Sequence, residues 1–131
     1  MARTEIKNRE QVDTLVRTFY GKIRKHQVLG PIFERIIDDW EAHFKILVDF
    51  WETQLFLRRK YHGNPIAAHQ AVDKEMKYGI TSEHFGLWLN LWFETIDELF
   101  EGETAYIAKN RAQKMSTMLY IEMFKARPKE I

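Results

Sequence analysis

The stretch DDWEAHFKILVDFWETQLF, Asp38 to Phe56, decides the fold class. It opens on two acidic residues suited to cap a helix, then runs on without Gly or Pro. Trp40, Phe44, Leu47, Trp51 and Leu55 recur at spacings of three and four, which makes one wide apolar helix face. His43 stands on the shoulder of that face, one turn before Leu47. An imidazole beside two tryptophans and a phenylalanine is more than a plain core helix requires. It points to a flat apolar body lying against this helix.

Outward from that stretch the same periodicity continues. Asn8 to Gln11 has the N-x-x-Q form of a capping box. Val12, Leu15, Val16, Phe19 and Ile23 follow it on one helix face reaching about His26. Leu29-Gly30-Pro31 reads as the end of that helix, with Pro31 opening a short one that carries Ile32, Phe33, Ile36 and Ile37. After the central helix and the basic run Arg58-Arg59-Lys60, Tyr61-His62-Gly63-Asn64-Pro65 is a loop. Asn64 and Pro65 are placed to start a helix bearing Ile66, His69, Val72 and Met76, which ends at Tyr78-Gly79. Thr81 or Ser82 caps the next, with Phe85, Trp88, Leu89, Trp92, Ile96, Leu99 and Phe100 as its stripe and Gly102 as its stop. A last helix runs from about Glu103 to Lys125, with Ile107, Met115, Met118, Leu119 and Glu122 at mixed spacing. No alternating strand pattern and no repeat occurs. The chain is read as one all-α domain over 1-131 of five to six helices with no sheet, residues 1-7 and 126-131 being frayed.

At 131 residues a core can form without staples. Lys+Arg 20 against Asp+Glu 19 leaves a net charge of +1, which argues against binding nucleic acid or a membrane surface. FKILVDFW and GLWLNLWF are too short to span a bilayer, and MARTEIKNRE lacks the apolar region of a signal peptide. A cytoplasmic location is therefore expected. With no cysteine, disulfides, thiolate metal sites, Cys nucleophiles and covalently attached haem are excluded.

The five histidines exclude further chemistry. No Glu has a His three residues later, so di-iron carboxylate bundles fall away. No two histidines are four apart, which removes the helical zinc signature, and no phosphate-binding glycine loop or GxSxG occurs. An aromatic content of 14% in a helical chain suits a bulky core or a pocket for a large planar ligand. Histidines on separate helices beside such a pocket suit haem, whose iron is held by a neutral imidazole.

The residues that narrow this choice come in a fixed order. Phe19-Tyr20-x-Lys22-Ile23-Arg24-Lys25 is followed by Leu29-Gly30-Pro31-Ile32-Phe33, Trp40-x-x-His43 and Phe50-Trp51. Then come Tyr61-x-Gly63-x-Pro65-x-x-x-His69 and His84-Phe85-x-x-Trp88-Leu89. From Phe19 to Phe93 the chain resembles the truncated haemoglobins of group III, and the Phe-Gly-Gly type glycine pairs of the other truncated groups are missing. The connection from His69 to Trp88 is longer than that family's, with Asp73-Lys74-Glu75-Met76-Lys77 inserted, and the stretch from Phe33 to Trp40 is short.

The resemblance implies a truncated globin fold, a two-over-two helical sandwich around haem b held without a covalent bond. It implies His69 as the proximal iron ligand and Tyr20, His43 and Trp88 as the distal polar residues, with Phe33 stacked on the haem edge. Leu47 and Trp51 would wall the distal side, and Leu55, Tyr61, Ile66 and Phe85 would complete the cofactor-binding set. His43 is read as a distal donor or as a second iron ligand in a six-coordinate resting state. His84 is read as structural or near a haem propionate, His26 and His62 as solvated, and Trp92, Phe93, Met115 and Met118 as core. Arg58-Arg59-Lys60 is a solvated helix end or a partner of the propionates.

The function expected is binding of O2, CO, NO or peroxide with high O2 affinity, in a redox rather than a transport role. The alternative is a peroxidase-like or nitric-oxide-dioxygenase-type enzyme that needs an external reductase. A third reading, a haem-free helical interaction module, would make the aromatics plain core.

Overall fold

The computed structural model describes residues 3–57 and 60–128. Six helices follow one another: α1 (Arg9–Lys25), α2 (Leu29–Ile36), α3 (Trp40–Phe56), α4 (Pro65–Glu75), α5 (Ser82–Leu99) and α6 (Glu103–Lys125). Among the described residues there is no strand, and a single bridge joins Thr4 to Phe100. The expected all-α architecture is present. α1 packs against α3, and α5 against α6; α1 crosses α5 and α3 meets α6. These pairings make two layers of two helices. α2 spans from α1 to α5, and α4 rests on α6. No helix among the described residues is long and apolar enough to cross a membrane.

The helix starts follow the capping residues. Asn8 accepts from the Gln11 N–H at 3.0 Å, Asp39 from Ala42 at 3.1 Å and Asn64 from Ala67 at 3.1 Å. Each satisfies one of the amide donors that the first turn of a helix leaves unpaired. At the other end of α3, Leu57 takes a left-handed conformation, with φ 57°.

Three boundaries differ from the sequence reading. Leu29-Gly30-Pro31 does not end α1; it forms the first turn of α2. His26 makes this tight connection, its Nδ1 accepting from the N–H groups of Val28 (3.1 Å) and Leu29 (3.2 Å). It is therefore a capping residue rather than a solvated one. Residues 3–7 are not frayed: Ile6 is buried, Glu101 donates its N–H to the Thr4 carbonyl, and Glu5 accepts from the Thr104 hydroxyl. At the other terminus Arg127 reaches back onto Asp73. The remainder of the expected frayed ends, residues 1–2 and 129–131, lies outside the described residues.

The core lies between the layers. Phe19 and Trp92 are fully buried, with Val12, Leu15, Val16 and Ile23 from α1 and Ile96 from α5 around them. Trp92 stacks on Trp51 (centroids 4.7 Å apart) and on Trp88 (5.6 Å), and Phe19 meets it edge-on at 4.9 Å. From α6 come Ala105, Ala108, Ala112, Ser116, Leu119 and Met123, mostly small residues that let neighbouring helices approach closely. Met118, expected in the core, lies on the outer face of α6 and is exposed. It sits one position from the buried Leu119 and two from the buried Ser116, about 100° and 160° round the helix, so it falls off the buried stripe.

Gly30 is required by the approach of α2 to α1. A Cβ there would stand 2.7 Å from the Arg24 carbonyl oxygen, which is backbone and cannot turn aside. Gly30→Ala should therefore destabilise the chain by about 1–3 kcal/mol in denaturant unfolding. Gly21, exposed in α1 with nothing within 4 Å of such a Cβ, should instead be stabilised as Ala by about 0.5–1 kcal/mol. Equal effects at the two positions would remove the close approach as the reason for Gly30.

Candidate functional site

A cavity of about 270 Å³ opens between the layers and takes its walls from all six helices. α3 contributes His43, Ile46, Leu47, Phe50 and Trp51, the i, i+3, i+4, i+7, i+8 stripe of one face. α4 contributes Pro65, Ala68, His69 and Val72 on the same rule, and α5 contributes His84, Phe85 and Trp88. Tyr20 comes from α1 and Phe33 from α2. Nine residues singled out in the sequence thus share one cavity: Tyr20, Phe33, His43, Leu47, Trp51, Tyr61, His69, Phe85 and Trp88.

Leu55 and Ile66 do not line it. Leu55 stands a full turn beyond Trp51, near the end of α3, and packs on the hydrophobic core. Ile66 is about 100° round the helix from Pro65, off the Pro65–Ala68–His69–Val72 face.

The polar groups of the cavity fall into two sets. His69 places Nδ1 2.7 Å from the Pro65 carbonyl oxygen. A carbonyl only accepts, so the proton of a neutral ring sits on Nδ1, and Nε2 keeps its lone pair. Burial holds this imidazole below its ordinary pKa, the Pro65 hydrogen bond working weakly the other way. His69 lies roughly parallel to Phe85 (27° between planes, centroids 6.3 Å) and makes no ring contact with Tyr20, His43 or Trp88.

Those three form the second set. The rings of Tyr20 and His43 meet edge-on at 5.8 Å, and Phe19 meets both Tyr20 (4.8 Å) and Trp88 (5.0 Å) edge-on. The indole N–H of Trp88 can only donate, whereas the Tyr20 hydroxyl can donate or accept. Burial pushes the Tyr20 phenol up to about 12, the nearby Trp88 indole N–H opposing this. Burial also holds His43 below the ordinary imidazole value. Phe33 (5.7 Å) and Trp40 (6.0 Å) back the Tyr20 ring. Tyr20, His43 and His69 are thus all neutral near pH 7.

The loop before α4 is held by Thr53, whose Oγ1 accepts from the N–H groups of Lys60 and Tyr61, both at 3.1 Å. Tyr61 turns its ring edge-on to Phe50 at 5.1 Å and over Gly63, where any Cβ would strike the phenol. His84 accepts the Thr81 N–H at its Nδ1 (2.9 Å) within a capping box and also borders the cavity. His62 is exposed. Of the basic run proposed for propionates, Arg58 and Arg59 lie outside the described residues and Lys60 is exposed.

Sequence reasoning missed the wall supplied by α6: Ala112, Met115, Ser116, Leu119 and Met123. Their 3–4 spacing was present, but Ala and Ser carry little hydrophobic signal and the exposed Met118 and Ile121 obscured the stripe.

Among the described residues no three His, Asp or Glu side chains gather as a cage for a metal ion. Three imidazoles, His43, His69 and His84, instead line one wide aromatic cavity, and in His69 a backbone carbonyl holds Nδ1 and leaves Nε2. That chemistry fits a flat macrocycle carrying its own iron, which asks the protein for an imidazole nitrogen and apolar faces.

No protein-family model matches the chain. It is 30% identical over 121 residues to the Group 3 truncated hemoglobin ctb of Campylobacter jejuni subsp. jejuni serotype O:2, spanning 86% of this chain and 91% of that one. The crystal structure of the group III truncated hemoglobin from Campylobacter jejuni superposes with a TM-score of 0.83 at 27% identity, covering 98% of this chain and all of the other. The chain belongs to the group III truncated haemoglobins.

Proposed function

We propose that this chain is a haem b protein that binds O2 and other diatomic ligands with high affinity and serves a redox rather than a transport role. The observation that carries this reading is His69, whose Nδ1–H is fixed on the Pro65 carbonyl so that Nε2 is left to bind iron beside a largely apolar cavity. The absence of cysteine leaves non-covalent haem as the form the chain can hold.

His69 would hold haem through Nε2, and the haem would supply an iron able to bind a diatomic ligand. The bond from His69 to Pro65 fixes both tautomer and ring orientation. Tyr20 carries an O–H that can donate to a ligand that develops negative charge. Trp88 lines the same cavity with an indole N–H that can also donate, and His43 stands beside the Tyr20 phenol as a further polar group. Phe33, Leu47, Trp51 and Phe85 keep water away from these donors, which strengthens each hydrogen bond.

A hydrogen bond to a charged partner contributes about 1.5–3 kcal/mol, and 1.4 kcal/mol is about tenfold in affinity. Tyr20→Phe should accordingly speed O2 dissociation, followed by stopped flow, by roughly tenfold or more. An unchanged rate would remove Tyr20 from the site. The purified chain supplied with haem should bind one equivalent and give an intense Soret band in ferric, ferrous and CO forms. His69→Ala should abolish that uptake or the five-coordinate ferrous spectrum.

His43, held neutral by burial, can accept a proton, which favours a second reading in which the same site turns over peroxide with an external reductant. Steady peroxide consumption well above that of free haem would support it.

The two depressed imidazoles, His43 and His69, also set a pH dependence. Each has a lower pKa folded than unfolded, so the stability it contributes is present above about pH 6.5 and is lost as pH falls through the folded value. The thermal midpoint of the haem-free chain should stay level above that pH and drop below it, with a shallower drop in His43→Leu. An identical drop in the variant would mean that His43 is solvated.

A further inference from the structure

α4 carries His69 but is attached to little else. It rests on α6, and its only buried side chain is Asp73, one turn beyond His69. Two polar ties join it to α6. Gln70 donates its Nε2–H to the Glu122 carbonyl at 3.1 Å. Arg127, just past the end of α6, grips Asp73 in bidentate fashion, Nε to Oδ2 at 2.9 Å and Nη2 to Oδ1 at 3.1 Å.

The same guanidinium donates to the Ile80 carbonyl, and Asp73 Oδ1 accepts the Ile80 N–H at 3.2 Å. Ile80 is itself a cavity wall. The pair therefore closes both ends of residues 73–80 on one point. Inside that segment Lys77 and Tyr78 hold left-handed conformations, φ 57° and 61°, unfavourable for residues with a Cβ and kept only where the surroundings impose them. A second ion pair on α4, Arg35 to Glu75, is more than half exposed on both sides, so water screens it. Asp73 is 1% exposed, and its pairing is the one that can constrain the helix.

We propose that Arg127 is a positioning residue for His69: by clamping Asp73 and Ile80 to the end of α6, it fixes the rotation of α4 and hence the direction in which His69 Nε2 meets an iron. This rests on the haem reading of the cavity. Neither Arg127 nor Asp73 lines the cavity; Ile80, which they hold by its backbone, does. The effect of the clamp reaches the site through one helical turn, from residue 73 to residue 69.

The test compares Arg127→Leu, Arg127→Lys and a control, Ile6→Ala, buried at the opposite terminus of the chain. Each is reconstituted with haem. Two quantities are read: the iron–histidine stretching band of the ferrous form by resonance Raman, and the rate of haem loss to an excess acceptor globin. Arg127→Leu should still bind one haem, but with a shifted or broadened band and haem loss faster by roughly 10- to 100-fold, the usual scale for a residue that orients a metal ligand. Arg127→Lys, which keeps charge but not the fork, should fall between. Ile6→Ala should lower the thermal midpoint while leaving band and haem loss unchanged.

The proposal is overturned if Arg127→Leu matches the wild type or matches the control in both readings. If Arg127→Leu does not fold, Arg127→Lys decides, and a wild-type band with wild-type haem loss overturns the proposal. Should the unsubstituted chain bind no haem, it is the haem reading that falls. Amide exchange across residues 66–80 then reads the clamp directly: acceleration confined to that segment in the Arg127 variants supports it, and uniform or absent acceleration overturns it.

Discussion

Trp92 is where the two helical layers become one structure. Its ring, fully buried on α5, stacks on Trp51 from α3 and meets Phe19 from α1 edge-on, while its indole N–H donates to the Ala108 carbonyl of α6 at 3.3 Å. All four layer helices therefore touch one side chain. Aromatic contacts of this kind are worth about 0.5–1.5 kcal/mol each beyond area burial, and emptying such a site costs about 3–5 kcal/mol. The cavity begins where this cluster ends. Trp51 and Trp88 each give one side to Trp92 and border the cavity as well, so core and site share walls.

Shared walls explain why the polar groups of the cavity are neutral. Tyr20 is pushed up, and His43 and His69 down, in each case chiefly by burial. A fixed charge in such walls would be expensive unless paired. Neutral donors and acceptors avoid that cost while leaving hydrogen-bond capacity in place. The His69–Pro65 bond then decides which imidazole atom remains available, Nε2. Directionality at His69 comes from this auxiliary bond and not from charge.

Much of this was legible in the chain because large residues at helical spacing carry a strong signal. Trp40 through Trp51, and Phe85 through Phe100, announced α3 and α5, and Asn8, Asp39 and Asn64 marked three helix starts. The nine residues found in one cavity follow from the same spacing together with the family resemblance. What stayed hidden depended on weak or long-range signals. The Ala and Ser wall of α6 has little hydrophobic contrast, and the capping role of His26 needs a turn shape that no local pattern fixes. Leu55 and Ile66 were misplaced because apolar periodicity tells which face is buried, but not whether core or cavity lies against it. Arg127 looked like a frayed end because its partner lies 54 positions away.

That last case follows from what α4 has to do. Its inward face, Pro65, Ala68, His69 and Val72, is given over to the cavity, so it cannot also be packed into a hydrophobic core. None of these four residues is fully buried. A helix whose apolar face is occupied in this way has only its flanks and ends for attachment, and non-directional apolar packing there is too small to set its rotation. Polar contacts are short-ranged and directional, which is the property a helix held only by its flanks and ends needs. Gln70 to Glu122 and Asp73 to Arg127 supply them, one at mid-helix and one at its last turn. The inward side of α4 serves the cavity, and its orientation is carried by bonds made elsewhere on the helix.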